Sequence, residues 1–243
     1  MLSANPHNIQ PWKVAFPAEN QILLYVDSER LLPQTDPIHC QILIGQGTFI
    51  EVLVVAASHF GIRVDVNYFP QGEYDNQSLE AKPVASLTLV PDETIKADPL
   101  FQYLAIRQST KTPYSSEILS TQQLVEVQKA SEQADFSIQL VNKQDDHDTI
   151  ANFLTEAMVV EEQKSARSLE TIGMFRFNDQ EMRKYRYGFG FPQNGVTGPK
   201  RWLAETLLVS RQKAENDWPR RGENNTQSGG EHSSFWFVDQ RFE

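Results

Sequence analysis

Trp12 to Phe16 and Gln21 to Asp27 are short, mostly apolar runs bounded by turn formers, and they read as two short strands. The turn formers Pro17-Ala18-Glu19-Asn20 join them. A second turn-rich stretch, Leu31 to Pro37, follows. The pattern then changes. From Ile38 to Phe60 the residues Ile42, Phe49, Leu53, Ala56 and Ala57 recur at spacings that share one helix face. Other apolar residues flank that face, which predicts a helix buried almost all round. Gly61 is placed to end it as a left-handed cap. Ile62–Phe69 and Val84–Val90 alternate apolar and polar residues and predict two strands, paired as neighbours across the polar loop Gly72–Glu80.

The second half reads as mostly helical. Asp98 caps a helix that begins at Pro99 and reaches about Ile106. Ser120 and Gln123 hold capping-box positions for a helix over Ser120–Gln133. A strand over Phe136–Val141 and a long helix over Asp146–Ser165 come next. Gly188-Phe189-Gly190-Phe191-Pro192 interrupts the pattern before a last helix, Pro199–Asn216. The polar tail from Trp218 to Ser234 reads as loop or disorder, with one further strand at Phe235–Val238. Segment 8–95 runs strand, strand, helix, strand, strand. Segment 98–243 repeats part of that order, a faint sign of duplication.

Composition narrows the classes. The 243 residues suit one large or two small domains, and 40% hydrophobic residues suffice for a sizeable core. Lys plus Arg is 22 and Asp plus Glu is 32, a net charge of −10. That balance repels polyphosphates, so no nucleic-acid partner is expected. The single Cys40 allows no internal disulfide and no Cys-rich zinc site. No apolar run is read as reaching the roughly 18–20 residues of a membrane span. Met1-Leu2-Ser3 opens without an export signal. The expectation is a soluble, cytoplasmic α+β protein with no membrane partner.

Two stretches carry candidate chemistry. Ser3-Ala4-Asn5-Pro6-His7-Asn8-Ile9-Gln10-Pro11-Trp12 sets two Asn and two Pro in an irregular backbone before a strand. Such a loop can present amides and N–H groups to a flat heteroaromatic ligand, with a Pro ring against its face. Its ordinary reading is a tight turn whose Asn side chains satisfy their own backbone. Arg107-Gln108-Ser109-Thr110-Lys111 combines a planar fork, a hydroxyl and a point charge, a plausible phosphate grip. Its ordinary reading is a basic helix end that complements the dipole.

Together, N-P-H-N-I-Q-P-W and R-x-S-T-K resemble the flavin-dependent nitroreductase family. The helix ending Ala56-Ala57-Ser58-His59-Phe60-Gly61 is similar to that family's central apolar helix. Asn8 precedes Arg107 by 99 residues, an order that resembles the subgroup in which two units are fused as a single-chain pseudo-dimer. The resemblance implies a nitroreductase-like α+β fold. The first unit would span residues 1–97, lacking its first helix. The second would span 98–243, with its C-terminal part missing and a polar tail from about 218. Such an incomplete unit would leave Phe235, Trp236 and Phe237 loosely packed and favour self-association. The resemblance also implies FMN as cofactor. Asn8 would hydrogen-bond the ring edge, with Asn5, Pro6 and His7 lining the ring. Arg107, Gln108, Ser109 and Lys111 would hold the phosphate. Electrons would pass from NADH or NADPH to a small aromatic or quinone-like acceptor, and no side chain would be needed as catalytic acid or base. The implied alternatives are a flavin-sequestering protein without turnover, closed by a lid over Phe175–Phe191, or a decayed fragment.

Other stretches offer less. Gly45-Gln46-Gly47 lacks the third glycine of a dinucleotide loop, since Ile50 stands there. Both glycines read as close-packing positions. His39 and Cys40 are adjacent and lack metal-ligand spacing. His59 reads as a core or helix-end residue, and Glu156, Glu161 and Glu162 as a solvated helix face.

Overall fold

A computed structural model of the chain describes residues 2–73, 75, 79, 81–109, 119–131, 139–141, 143–208 and 210–216. The chain divides into two compact units. The first comprises residues 1–111 and 169–215, the second residues 112–168 and 216–243.

The first unit is built on a four-stranded antiparallel sheet of order β1-β2-β4-β3. Its strands are β1 (Trp12–Ala18), β2 (Gln21–Val26), β3 (Ile62–Tyr68) and β4 (Ala85–Pro91). The alternation sets which face is buried. Ile22, Leu24 and Val26 of β2, with Ala85 and Leu87 of β4, turn toward α1 (Cys40–His59). Trp12 and Ile50 complete that core, against which Phe49, Leu53, Val64, Val66 and Leu89 pack. Pro17 lies inside β1 rather than in a turn. β1 is an edge strand with an irregularity between Ala15 and Ala18, so a residue without an N–H is tolerated there. β3 and β4 pair along their whole length from Ile62↔Pro91 to Tyr68↔Ala85, as their alternation predicts.

Helix α1 departs from expectation in one respect and meets it in another. It is not buried all round: Ile44 is 62% exposed. By length and composition it could cross a membrane, which corrects the reading that no stretch reaches that length. Ile42, Gly45, Gln46, Ile50, Val55, Ala57 and Ser58 are buried. Gly61, at φ 66°, closes it by donating its N–H to the Ser58 carbonyl. Gly45 is a close-packing position, because an added Cβ would stand 3.3 Å from Asn5 Cβ. Gly47 has nothing within 4 Å and is not.

The stretch after Asp98 is a 3-10 helix, Pro99–Tyr103, rather than the α-helix expected. Its cap is as predicted: Asp98 accepts the Leu100 N–H at 2.7 Å. Asp98→Ala is therefore expected to cost about 1 kcal/mol, measurable as a lower denaturant midpoint. Farther along, α4 (Ser165–Met174), β5 (Phe175–Arg176), α5 (Asp179–Tyr185), β6 (Phe189–Gly190) and α6 (Gly198–Leu203) follow one another. β5 and β6 form a small parallel pair. The single helix expected over Pro199–Asn216 is broken: α6 gives way to a π-helical turn at Ala204–Leu208, and residues 211–216 are again helical.

In the second unit α2 (Thr121–Ser131) carries the predicted capping box. Ser120 donates its N–H to Gln123 Oε1 at 2.8 Å, and Gln123 donates its N–H to Ser120 Oγ at 3.3 Å. The long helix expected over Asp146–Ser165 is α3 (Gln144–Glu162), which stops at a turn before α4 begins. Residues 139–141 are not in a strand; the rest of the expected Phe136–Val141 strand lies outside the described residues, as do the tail and the aromatic run at Phe235.

Candidate functional site

The loop Ser3–Pro11 is not an ordinary turn. Pro6–Asn8 forms one 3-10 turn, and His7, Asn8 and Gln10 all adopt left-handed backbone at φ 49°, 53° and 55°. Asn5 holds the loop from within, accepting the Gln10 N–H at 2.9 Å and donating Nδ2 to the Ser3 carbonyl at 3.0 Å. That is the local satisfaction Asn offers in turns.

Three neighbours then clamp it. From α1, Gln46 Nε2 donates to the Pro11 carbonyl at 2.6 Å, and Thr48 Oγ1 donates to the Ala4 carbonyl. From the end of β2 and the turn after it, Asp27 donates its N–H to the Pro11 carbonyl at 3.0 Å. Arg30 Nη1 donates to the carbonyls of Ile9 and Gln10 at 3.1 and 3.3 Å. From the segment after α5, Gly188 and Asn8 bond reciprocally. Gly188 N–H donates to the Asn8 carbonyl, and Asn8 Nδ2 donates to the Gly188 carbonyl, both at 2.9 Å. Gln10 Nε2 donates to the Arg186 carbonyl at 2.8 Å. The His7 ring stacks on Phe189 with centroids 5.3 Å apart.

Left-handed backbone at a non-glycine residue costs on the order of 1–3 kcal/mol and gathers at functional sites. Among the described residues six non-glycines adopt it: His7, Asn8, Gln10, His39, Phe69 and Arg186. Four of the six, His7, Asn8, Gln10 and Arg186, belong to this one hydrogen-bonded group. The concentration of strain marks the place.

Arg107 reaches the same loop. Its Nε and Nη2 donate to the Leu2 carbonyl at 3.2 and 2.8 Å, three residues before Asn5. Gln108 and Ser109 are exposed beside it, while Thr110 and Lys111 lie outside the described residues. The fold thus gathers Asn5, Pro6, His7, Asn8 and Arg107 at the two ends of one short segment, although 99 residues separate Asn8 from Arg107.

Several participants carried no clear signal in the sequence. Gln10, Arg30, Gln46, Arg186 and Gly188 act through contacts between distant segments. Gly188 had a local signal, since glycine is the default residue where the backbone needs positive φ, and here φ is 90°. Gln46 Oε1 and His39 Nδ1 are buried without a hydrogen-bond partner among the described residues.

Next to the loop, the Arg176 side chain is almost fully buried, at 3% exposed. Its guanidinium donates to the carbonyls of Tyr187, Gly173 and Phe175 at 2.9, 2.8 and 3.3 Å. Tyr185 and Tyr187 lie against it at 4.5 and 4.7 Å. Burial pulls its pKa down from the usual arginine value, yet a guanidinium starts so high that it stays charged at neutral pH. It ties β5 to the Tyr187–Gly190 stretch and so fixes the clamp over the loop.

Among the described residues no group of three or more His, Cys, Asp or Glu could hold a metal ion. Cys40 is exposed and free. His59 is exposed and stacks on Phe101 at 3.8 Å, the helix-end role expected of it. No protein-family model matches the chain, and no curated protein is significantly similar to it.

Proposed function

We propose that this chain is an FMN-binding oxidoreductase of the nitroreductase type, with a nitroreductase-like fold of two fused units. It would take electrons from a reduced nicotinamide and pass them to a small aromatic or quinone-like acceptor. The observation that carries the reading is the bond from Arg107 to the Leu2 carbonyl. It brings the phosphate-grip motif to the ring-lining loop, as one elongated ligand would need.

The two ends of the site fit FMN unequally. At the phosphate end, Arg107 stands beside the exposed Gln108 and Ser109; its Nε and Nη2 are bonded to the Leu2 carbonyl, so a phosphate would use its remaining N–H groups or displace that bond. At the ring end, Asn8 is exposed, but its Nδ2 is committed to the Gly188 carbonyl, as Gln10 Nε2 is to the Arg186 carbonyl. A ring seated by Asn8 requires the Arg186–Phe189 segment to release the loop. The residues' share of the work is to bind and orient; bound FMN would itself supply the electron transfer.

That same closure favours a second reading, a flavin-sequestering protein without turnover. The Phe175–Phe191 stretch would then act as a lid that excludes the nicotinamide. Its support is the Asn8–Gly188 pair and the His7–Phe189 stack.

The test is an absorbance spectrum of the full chain after incubation with FMN and desalting. The expected result is retained flavin bands at one FMN per chain, followed by NADPH oxidation when a nitroaromatic or quinone is added. Retained flavin without turnover selects sequestration. A colourless chain overturns both readings.

A further inference from the structure

We propose that the exposed basic run Arg183, Lys184 and Arg186, at the rim of the Asn5–Gln10 loop, binds the phosphomonoester of a nucleotide and selects the 2′-phosphorylated form of reduced nicotinamide dinucleotide as electron donor. The choice of donor rests on the flavin reading above; the phosphate site stands on its own observations.

The first observation is charge. The chain as a whole carries −10. Between Arg176 and Tyr187 the sequence holds four cations, Arg176, Arg183, Lys184 and Arg186, against two carboxylates, Asp179 and Glu181. Both carboxylates are already engaged. Asp179 pairs with Arg201. Glu181 pairs with Arg211 at 3.0 Å and accepts the Phe177 N–H at 3.1 Å. The nearby Asp27 is likewise held by Lys13 at 3.0 Å and Arg30 at 3.4 Å. Arg183, Lys184 and Arg186 therefore have no ion pair among the described residues. All three are exposed.

The second observation is position. Arg186 is bonded to the loop through its carbonyl, which accepts from Gln10 Nε2 at 2.8 Å. Arg183 lies one turn earlier on α5. Arg186 therefore borders the hydrogen-bonded loop, while Lys184 Nζ lies over the Tyr185 ring at 5.1 Å.

The third is the residue chosen at 186. Basic residues in the last turn of a helix complement its dipole, which would account for Arg183 and Lys184. It does not account for arginine at the αL cap, φ 58°, where glycine or asparagine is cheaper. Two forks and a point charge suit a phosphomonoester dianion better than a singly charged carboxylate. Of the two nicotinamide dinucleotides only the 2′-phosphorylated one carries such a group.

The experiment is calorimetric titration of the full chain with adenosine 2′,5′-bisphosphate, adenosine and inorganic phosphate, for the native sequence and for R183Q/R186N. Asparagine is used at 186 because it tolerates the left-handed backbone. The bisphosphate is expected to bind the native chain and to lose roughly tenfold or more in affinity in the double variant. Its affinity should also fall as salt rises from low to physiological strength. The proposal is overturned if the bisphosphate does not bind, if the double variant binds it equally, or if salt has no effect. Inorganic phosphate binding as tightly as the bisphosphate overturns the nucleotide assignment. FMN retention, read by absorbance on the same samples, separates the two ideas. Lost FMN with intact bisphosphate binding removes the flavin reading and leaves the rim site standing. Retained FMN without bisphosphate binding does the reverse.

Discussion

Arg107→Ala is expected to weaken FMN binding by roughly ten- to a hundredfold while leaving riboflavin binding little changed. Hydrogen bonds to a charged phosphate are typically worth about 1.5–3 kcal/mol each, and about 1.4 kcal/mol is a factor of ten in affinity. Riboflavin lacks the phosphate and so has nothing to lose at that end. The control matters because Arg107 also holds the Leu2 carbonyl. Removing it loosens the start of the Ser3–Pro11 loop, and that effect would fall on both flavins alike. On the proposed reading Asn8→Ala supplies the opposite pattern: Asn8 would address the ring the two ligands share, so both affinities should change by a similar factor. Fluorescence titration of each flavin against each variant gives the four numbers needed. Equal losses for FMN and riboflavin in Arg107→Ala would remove the phosphate grip and return Arg107 to a structural role.

Gly188→Ala is expected to destabilise the first unit by about 2–5 kcal/mol, combining the left-handed backbone cost with overpacking. An added Cβ would sit 2.3 Å from the Met174 carbonyl oxygen and 2.9 Å from Arg176 Cζ. Neither can easily give way. The Met174 oxygen is backbone, and the Arg176 guanidinium is fixed by the carbonyls of Tyr187, Gly173 and Phe175. The backbone at φ 90° is strained for any side chain. Chemical denaturation followed by tryptophan fluorescence checks the size. Gly47→Ala is the matched control, since an added Cβ there meets nothing within 4 Å. A shift at Gly188 no larger than the control would mean that the clamp over the loop is pliable. Closure of the Arg186–Phe189 segment would then carry little energetic weight.

Much of the first unit was legible as pattern. The apolar run Ile22–Val26 is a strand in the structure, and Ile22, Leu24 and Val26 are buried. Gly61 ends α1 where its freedom at positive φ is needed, and Asp98, like Ser120 in the second unit, caps the element it precedes. These features depend on residues within a few positions of one another, so periodicity and cap chemistry suffice to read them. The same reasoning failed where a helix breaks without glycine or proline. The π-helical turn at Ala204–Leu208, within the single helix expected over Pro199–Asn216, leaves no such mark. It also misjudged α1, whose composition suggests burial all round while Ile44 stands exposed, because coverage depends on what packs against a helix.

The candidate site divides along the same line. The unusual local chemistry of Asn5-Pro6-His7-Asn8 and of Arg107 is visible in the chain, because short polar side chains and proline impose irregular backbone by themselves. What holds that backbone is not visible. Gly188 bonds Asn8 across 180 positions, Arg186 accepts from Gln10 across 176, and Arg107 reaches Leu2 across 105. Sequence periodicity reports which side of an element faces the core and says nothing of which distant backbone a side chain will meet. The sequence by itself determined the four strands of the antiparallel sheet, the caps and the two motifs. Only the tertiary structure decided that the motifs share one place and that the Arg186–Phe189 segment closes over it, because those bonds exist only once remote segments are packed together.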